Sequence, residues 1–250
     1  MERDAALFEY LLRHGDSCLI LGHRVSEWCG HAPELEEDIA LANIGLDLTG
    51  QAEQFLSYAA GLEAKGRDAD KLAYLRDAWD FRNMLLCERP NGDFAHTIVR
   101  QFLFDAWQVE ALAGLALSSD ARLAGIAAKA AKEANYHLRH SGEWVVRLGD
   151  GTEESHKRTQ AALDALWEYT GEFFEEDAVT RALAGAVPDP AASKPAWSAT
   201  IDEVLAAATL RRPKDGWTQT GGHSGKHSEA LGHLLATMQF LPRAYPGATW

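Results

Sequence analysis

Six polar side chains fall at similar heights along four long helical patterns: Asp16, then Asp47 and Gln51 one turn apart, then Asp105, then Glu133 and His137. Carboxylates and imidazoles placed in this way are the donors that hold iron. A carboxylate-bridged di-iron centre draws one Glu from each of two helices and a Glu-x-x-His pair from each of the other two, all pointing inward. The set here departs from that pattern. Gln51 stands where an imidazole is required, and its neutral amide is a poor partner for ferrous iron. His137 follows Glu133 by four residues, with Ala134 at the position three before it. Residues four apart still point within about 40° of one direction, so spacing alone allows Glu133 and His137 to share an ion. The donor count weighs more heavily, because one central histidine cannot serve two irons. The Glu-x-x-His of the sequence, Glu153 to His156, follows "GDG", and the related Asp93 to His96 opens the third long helix, so neither lies at mid-height.

The plainer reading of these residues is a hydrogen-bonded or salt-bridged interior. Asp105 tests it, being the sole charge in the stripe formed by residues 98, 102, 105, 109 and 112. A buried, unpaired carboxylate is costly, so Asp105 must be partnered, protonated or wet.

Four helices have to position these groups. Leu7, Leu11, Cys18, Leu21, Val25 and Trp28 recur at helical spacing over 4–29, and Gly30 ends that helix. A second helix over about 33–64 carries two apolar stripes. Leu41, Ile44, Leu48, Phe55 and Leu62 form one, and Leu35, Ile39, Ala42 and Leu46 form the other. Two such faces predict a helix packed on more than one side. The third and fourth helices are expected over about 93–117 and 120–148, after a longer crossover containing "ERPNGD". This describes an all-α, ferritin-like four-helix bundle. Additional helices follow, one opened by Thr152, one near 196–209 and one near 227–244. We expect residues 1–250 to form a single domain, with a core bundle at about 4–148 and accessory helices at about 152–245.

Composition narrows the function. A formal charge of −13 disfavours general nucleic-acid binding, and 46% hydrophobic residues suffice for a large core. No stretch approaches the roughly 20 apolar residues of a membrane span. Cys18, Cys29 and Cys87 form no Cys-x-x-Cys pair, which fits reduced thiols and a cytoplasmic protein. The glycine-rich "TGGHSGKHSE" misses the phosphate-loop spacing, yet Lys226 beside a helix start offers an anion contact. A structural loop or a contact between subunits is the competing reading of that segment.

Four segments, "GDSCLILGHRVSEWCGHAPELEEDIALANIGLDLTGQAEQFLSYAA", "RPNGDFAHTIVRQFLFDAW", "AKEANYHLRHSGEW" and "TGGHSGKHSEALGHLLATMQFLPRAYPGATW", resemble the C-subunit family of bacterial phenylacetyl-CoA epoxidases. The resemblance implies a ferritin-like structural subunit of a multicomponent monooxygenase in phenylacetate catabolism. Its partners would be a catalytic A subunit, a small B subunit and the reductase. Surplus apolar helix faces, which seek cover, allow a homodimer when the chain is alone. The resemblance places the di-iron centre and phenylacetyl-CoA in the A subunit, and the flavin and iron–sulfur groups in the reductase. No catalytic, cofactor-binding or metal residue is thereby transferred to this chain. Asp16, Asp47, Gln51, Asp105, Glu133 and His137 become candidates for a vestigial site. Two alternatives remain: an iron-binding, O2-activating subunit using Asp47, Asp105, Glu133 and His137, and a CoA-binding regulatory module around Lys226.

Overall fold

The computed structural model describes residues 1–248, and those residues form helices with no strand among them. In chain order the helices are α1 Arg3–Ser26, α2 Leu35–Glu63, α3 Ala69–Tyr74, α4 Leu85–Glu88, α5 Phe94–Leu115, α6 Ala121–Gly149, α7 Glu153–Leu166, α8 Ala178–Ala182, α9 Lys194–Ala207, α10 Glu229–Met238 and α11 Phe240–Ala244. The fold class is all-α and ferritin-like, with α1, α2, α5 and α6 as its long helices. No described helix is long and apolar enough to cross a membrane. The chain divides into two compact units, Met1–Pro90 with Thr220–Trp250, and Asn91–Gln219.

In the first unit α1 and α2 lie against each other. Small residues permit the close approach: a Cβ on Gly22 would stand 3.2 Å from the carbonyl oxygen of Gly45, so each glycine leaves room for the other helix's backbone. Leu11, Leu21, Leu41, Ile44, Leu48 and Phe55 are buried. The second apolar stripe of α2 behaves differently from the sequence expectation. Leu35, Ile39 and Leu46 are exposed, so nothing in the described chain covers that face. Hydrophobic periodicity records that a face is apolar, and it cannot say whether the cover comes from the same chain.

The second unit joins α5 and α6 with α7 and α9. Side-chain caps start its helices: Asp93 accepts the His96 N–H at 2.9 Å, and Asp120 accepts the N–H groups of Arg122 and Leu123 at 3.0 Å. The helix expected to open at Thr152 leaves α geometry after Leu166. Residues Trp167–Phe174 wind into a 3-10 helix. There Gly171 presses on Thr218, whose side chain lies 2.5 Å from where a Cβ would sit. Trp107, Trp167, Phe173 and Trp197 cluster in this core. The indole N–H of Trp197 donates to the Leu103 carbonyl at 3.2 Å and that of Trp107 to the Phe173 carbonyl at 3.1 Å.

Candidate functional site

In the first unit, Asp16 is fully buried near the middle of α1. The Arg76 guanidinium grips both of its oxygens, through Nη1 to Oδ2 at 3.0 Å and through a closer Nη2 to Oδ1 contact. The backbone N–H of Arg82 adds a third bond at 2.8 Å. Arg76 lies over the Phe81 ring, 4.4 Å from its centroid, and donates to the Asp80 carbonyl at 3.0 Å. This two-pronged, desolvated pair ties α1 to the 76–82 crossover. Gln51 is buried on α2 and its amide oxygen accepts the Cys18 thiol at 3.6 Å, while Asp47, one turn earlier, is half-buried. Neighbouring His14 is held neutral: burial, assisted by Arg13, pushes its pKa down to about 4.

In the second unit, Asp105 is fully buried on α5. The Gln101 amide donates to one oxygen at 2.7 Å, and the Ser141 hydroxyl of α6 lies 2.8 Å from the other. Burial raises its pKa to about 8 despite both hydrogen bonds. Near neutral pH the group is therefore mostly a neutral carboxylic acid, and Ser141 can accept its proton because a hydroxyl both donates and accepts. Glu133 is half-buried and His137 fully buried on α6. The two histidine motifs of this half serve helix ends. Asp93 caps α5, and the His156 ring lies 2.7 Å from the Gly149 carbonyl at the end of α6.

Sequence reasoning missed one polar centre. Glu88 of α4 is fully buried. It receives the backbone N–H of Ser228 at 2.6 Å, the Asn83 amide at 3.0 Å and the His227 ring at 2.8 Å. The other ring nitrogen of His227 faces the Phe81 carbonyl at 3.0 Å, so both nitrogens must donate and the ring is an imidazolium. Burial opposes that charge, but the Glu88 carboxylate and the Phe81 carbonyl outweigh it and hold His227 above its ordinary pKa. Burial likewise works against the Glu88 anion, and His227 with Ser228 more than compensates, leaving its pKa below the usual carboxylate range. The start of α10, read from sequence as a seat for an external anion, thus receives the chain's own carboxylate. Lys226 is exposed beside it. The sequence signal was the pairing of "CERP" with "GKHSE", which only tertiary contact brings together.

Among the described residues no three His, Cys, Asp or Glu side chains gather in a way that could hold a metal ion. Chemistry also argues against Asp16 and Gln51 as iron ligands: the first is paired with a guanidinium and the second is an amide. These two residues do not fit an iron cage.

The family model described as phenylacetic acid catabolic protein matches residues 1–250. The chain belongs to that family. A relative is the C subunit of the 1,2-phenylacetyl-CoA epoxidase of Escherichia coli (strain K12), which is 51% identical over 246 residues, covering 98% of this chain and 99% of that protein. The resemblance carried by the four sequence segments therefore extends along nearly the whole chain. The last two residues of the final segment, Thr249 and Trp250, lie outside the described residues.

Proposed function

We propose that this chain is the non-catalytic structural subunit of a phenylacetyl-CoA epoxidase. In this reading it pairs with and stabilises a catalytic A subunit during aerobic phenylacetate catabolism in the cytoplasm. A small B subunit would help organise the complex. The partner's di-iron centre and the reductase's flavin and iron–sulfur groups would supply the redox chemistry. Asp16, Asp47, Gln51, Asp105, Glu133 and His137 are then the trace of a metal cage whose positions have passed to structural work.

The observation that carries the non-catalytic part is the commitment of Asp16 to Arg76. Two guanidinium nitrogens and a backbone N–H take three of the roughly four acceptor sites of this buried carboxylate, so binding iron there would mean breaking a desolvated ion pair, which is costly. Similarity at 51% identity over 246 residues to a named epoxidase subunit supports the assembly.

Co-expression with the catalytic subunit tests the reading, followed by separation of the chains and metal counting on each. Iron should follow the partner, and epoxidation of phenylacetyl-CoA should require both chains. Stoichiometric iron on this chain, lost in Glu133→Ala, would establish it as an iron-binding subunit instead. A partner fully active and soluble by itself would remove the structural role. CoA binding abolished by Lys226→Ala would favour the regulatory alternative.

A further inference from the structure

Helix α2 presents a second face that the rest of the chain leaves bare. Leu35 is 72% exposed, Ile39 54% and Leu46 70%. At 100° per residue these three point within about 40° of one another and span about 17 Å along the axis. Half-buried Ala42 lies within the same stripe, which makes it a ridge of side chains rather than scattered apolar residues. α2 is also the most one-sided element in charge. Between Leu35 and Glu63 it carries Glu36, Glu37, Asp38, Asp47, Glu53 and Glu63, and no lysine or arginine. Glu36 and Glu53 are exposed at either end of the ridge.

We infer that this ridge is where the catalytic partner subunit docks, through an apolar helical surface rimmed with lysine or arginine. The inference rests on the pairing proposed above and assigns it a surface. Charge decides between the candidate occupants. A second copy seated through the same ridge would bring two rims carrying exposed Glu36 and Glu53 together, and like charges across an interface resist association. A basic-rimmed partner meets both features: its apolar side chains cover Leu35, Ile39 and Leu46, while its cations meet Glu36 and Glu53. The apolar centre would carry the affinity, and the acidic rim would set approach rate and partner choice.

The test uses the full-length chain co-expressed with the tagged catalytic subunit. Ile39→Glu and Leu46→Glu change exposed positions, so their folding is checked by circular dichroism and thermal midpoint. Leu117→Glu, at a site 87% exposed in the other unit, controls for simply adding a charge. The two α2 variants should retain their helicity yet lose at least about tenfold in binding to the partner, with Leu117→Glu unaffected. Glu36→Lys with Glu53→Lys should slow association and flatten its dependence on salt. If the wild-type chain binds and the α2 variants bind equally well, this surface is wrong and the subunit reading stands. If the wild-type chain fails to bind the catalytic subunit, both fall. A wild-type homodimer that persists in the presence of the catalytic subunit and is dispersed by Leu46→Glu would show that a second copy covers the ridge, which also overturns the inference.

Discussion

Asp16 and Asp105 are two buried carboxylates in similar helical surroundings, and opposite means keep them tolerable. Asp16 is paired with the Arg76 guanidinium, whereas burial favours the protonated form of Asp105. Removing Asp16 leaves the Arg76 guanidinium buried without its counter-ion. Asp16→Ala should therefore lose about 3–5 kcal/mol of stability in urea unfolding, more than a surface carboxylate would. Asp105 behaves in the opposite sense. Its folded pKa of about 8 lies above the unfolded carboxylate value of 3.8, so the folded state holds a proton that the unfolded state releases. The stability associated with that proton is fully present below the unfolded value and is lost progressively as pH rises towards the folded one. Asp105→Asn keeps the shape and removes the titration. Unfolding curves at several pH values between about 4 and 8 should show the variant gaining on the wild type as pH rises. A constant difference between the two would mean that Asp105 is ionised in the native state.

At the scale of elements, the ion pair of Glu88 and His227 fastens the C-terminal segment to the N-terminal helices. Arg24 of α1 reinforces it, donating to the Glu88 carbonyl at 3.1 and 3.2 Å and to the Ala230 carbonyl of α10 at 2.9 Å. Gln239 adds bonds to the carbonyls of Ala73 and Arg76 at 3.1 and 3.0 Å. Because the folded pKa of His227 is raised, its contribution is complete below the unfolded value of 6.5 and disappears as pH climbs through the folded one. Glu88 sets the acid limit, since its lowered pKa means its contribution is lost as pH falls through that value. Hydrogen exchange should therefore find α10 best protected between about pH 4.5 and 6.5, where both contributions are complete. His227→Ala should expose the segment from Thr220 onward to limited proteolysis while α5 and α6 keep their protection. Unchanged protection of α10 in that variant would mean that apolar contacts alone hold the segment.

For the molecule as a whole, the chain leaves its first unit after Pro90 and re-enters it at Thr220. The second unit is thus inserted in the sequence of the first. We propose that residues 1–250 nevertheless unfold as one domain. Calorimetry should show one cooperative transition rather than two, and the catalytic partner, if it binds only the folded chain, should raise the midpoint by mass action. Two transitions separable by His227→Ala would instead assign independent stability to the two units.

The sequence alone determined the all-α class, the four long helices to within a few residues, and the family, because helical periodicity and long idiosyncratic segments are local properties of the chain. It also flagged Asp105 as a charge requiring compensation, since a lone carboxylate in an apolar stripe is visible without coordinates. Tertiary structure decided how each charge is compensated. Arg76 lies 60 residues from Asp16, and His227 lies 139 from Glu88. No spacing rule links residues so far apart, because their meeting depends on how separate helices pack. The same limit applies to α2, where the pattern revealed two apolar faces and only the packed chain distinguished the covered one from the bare one.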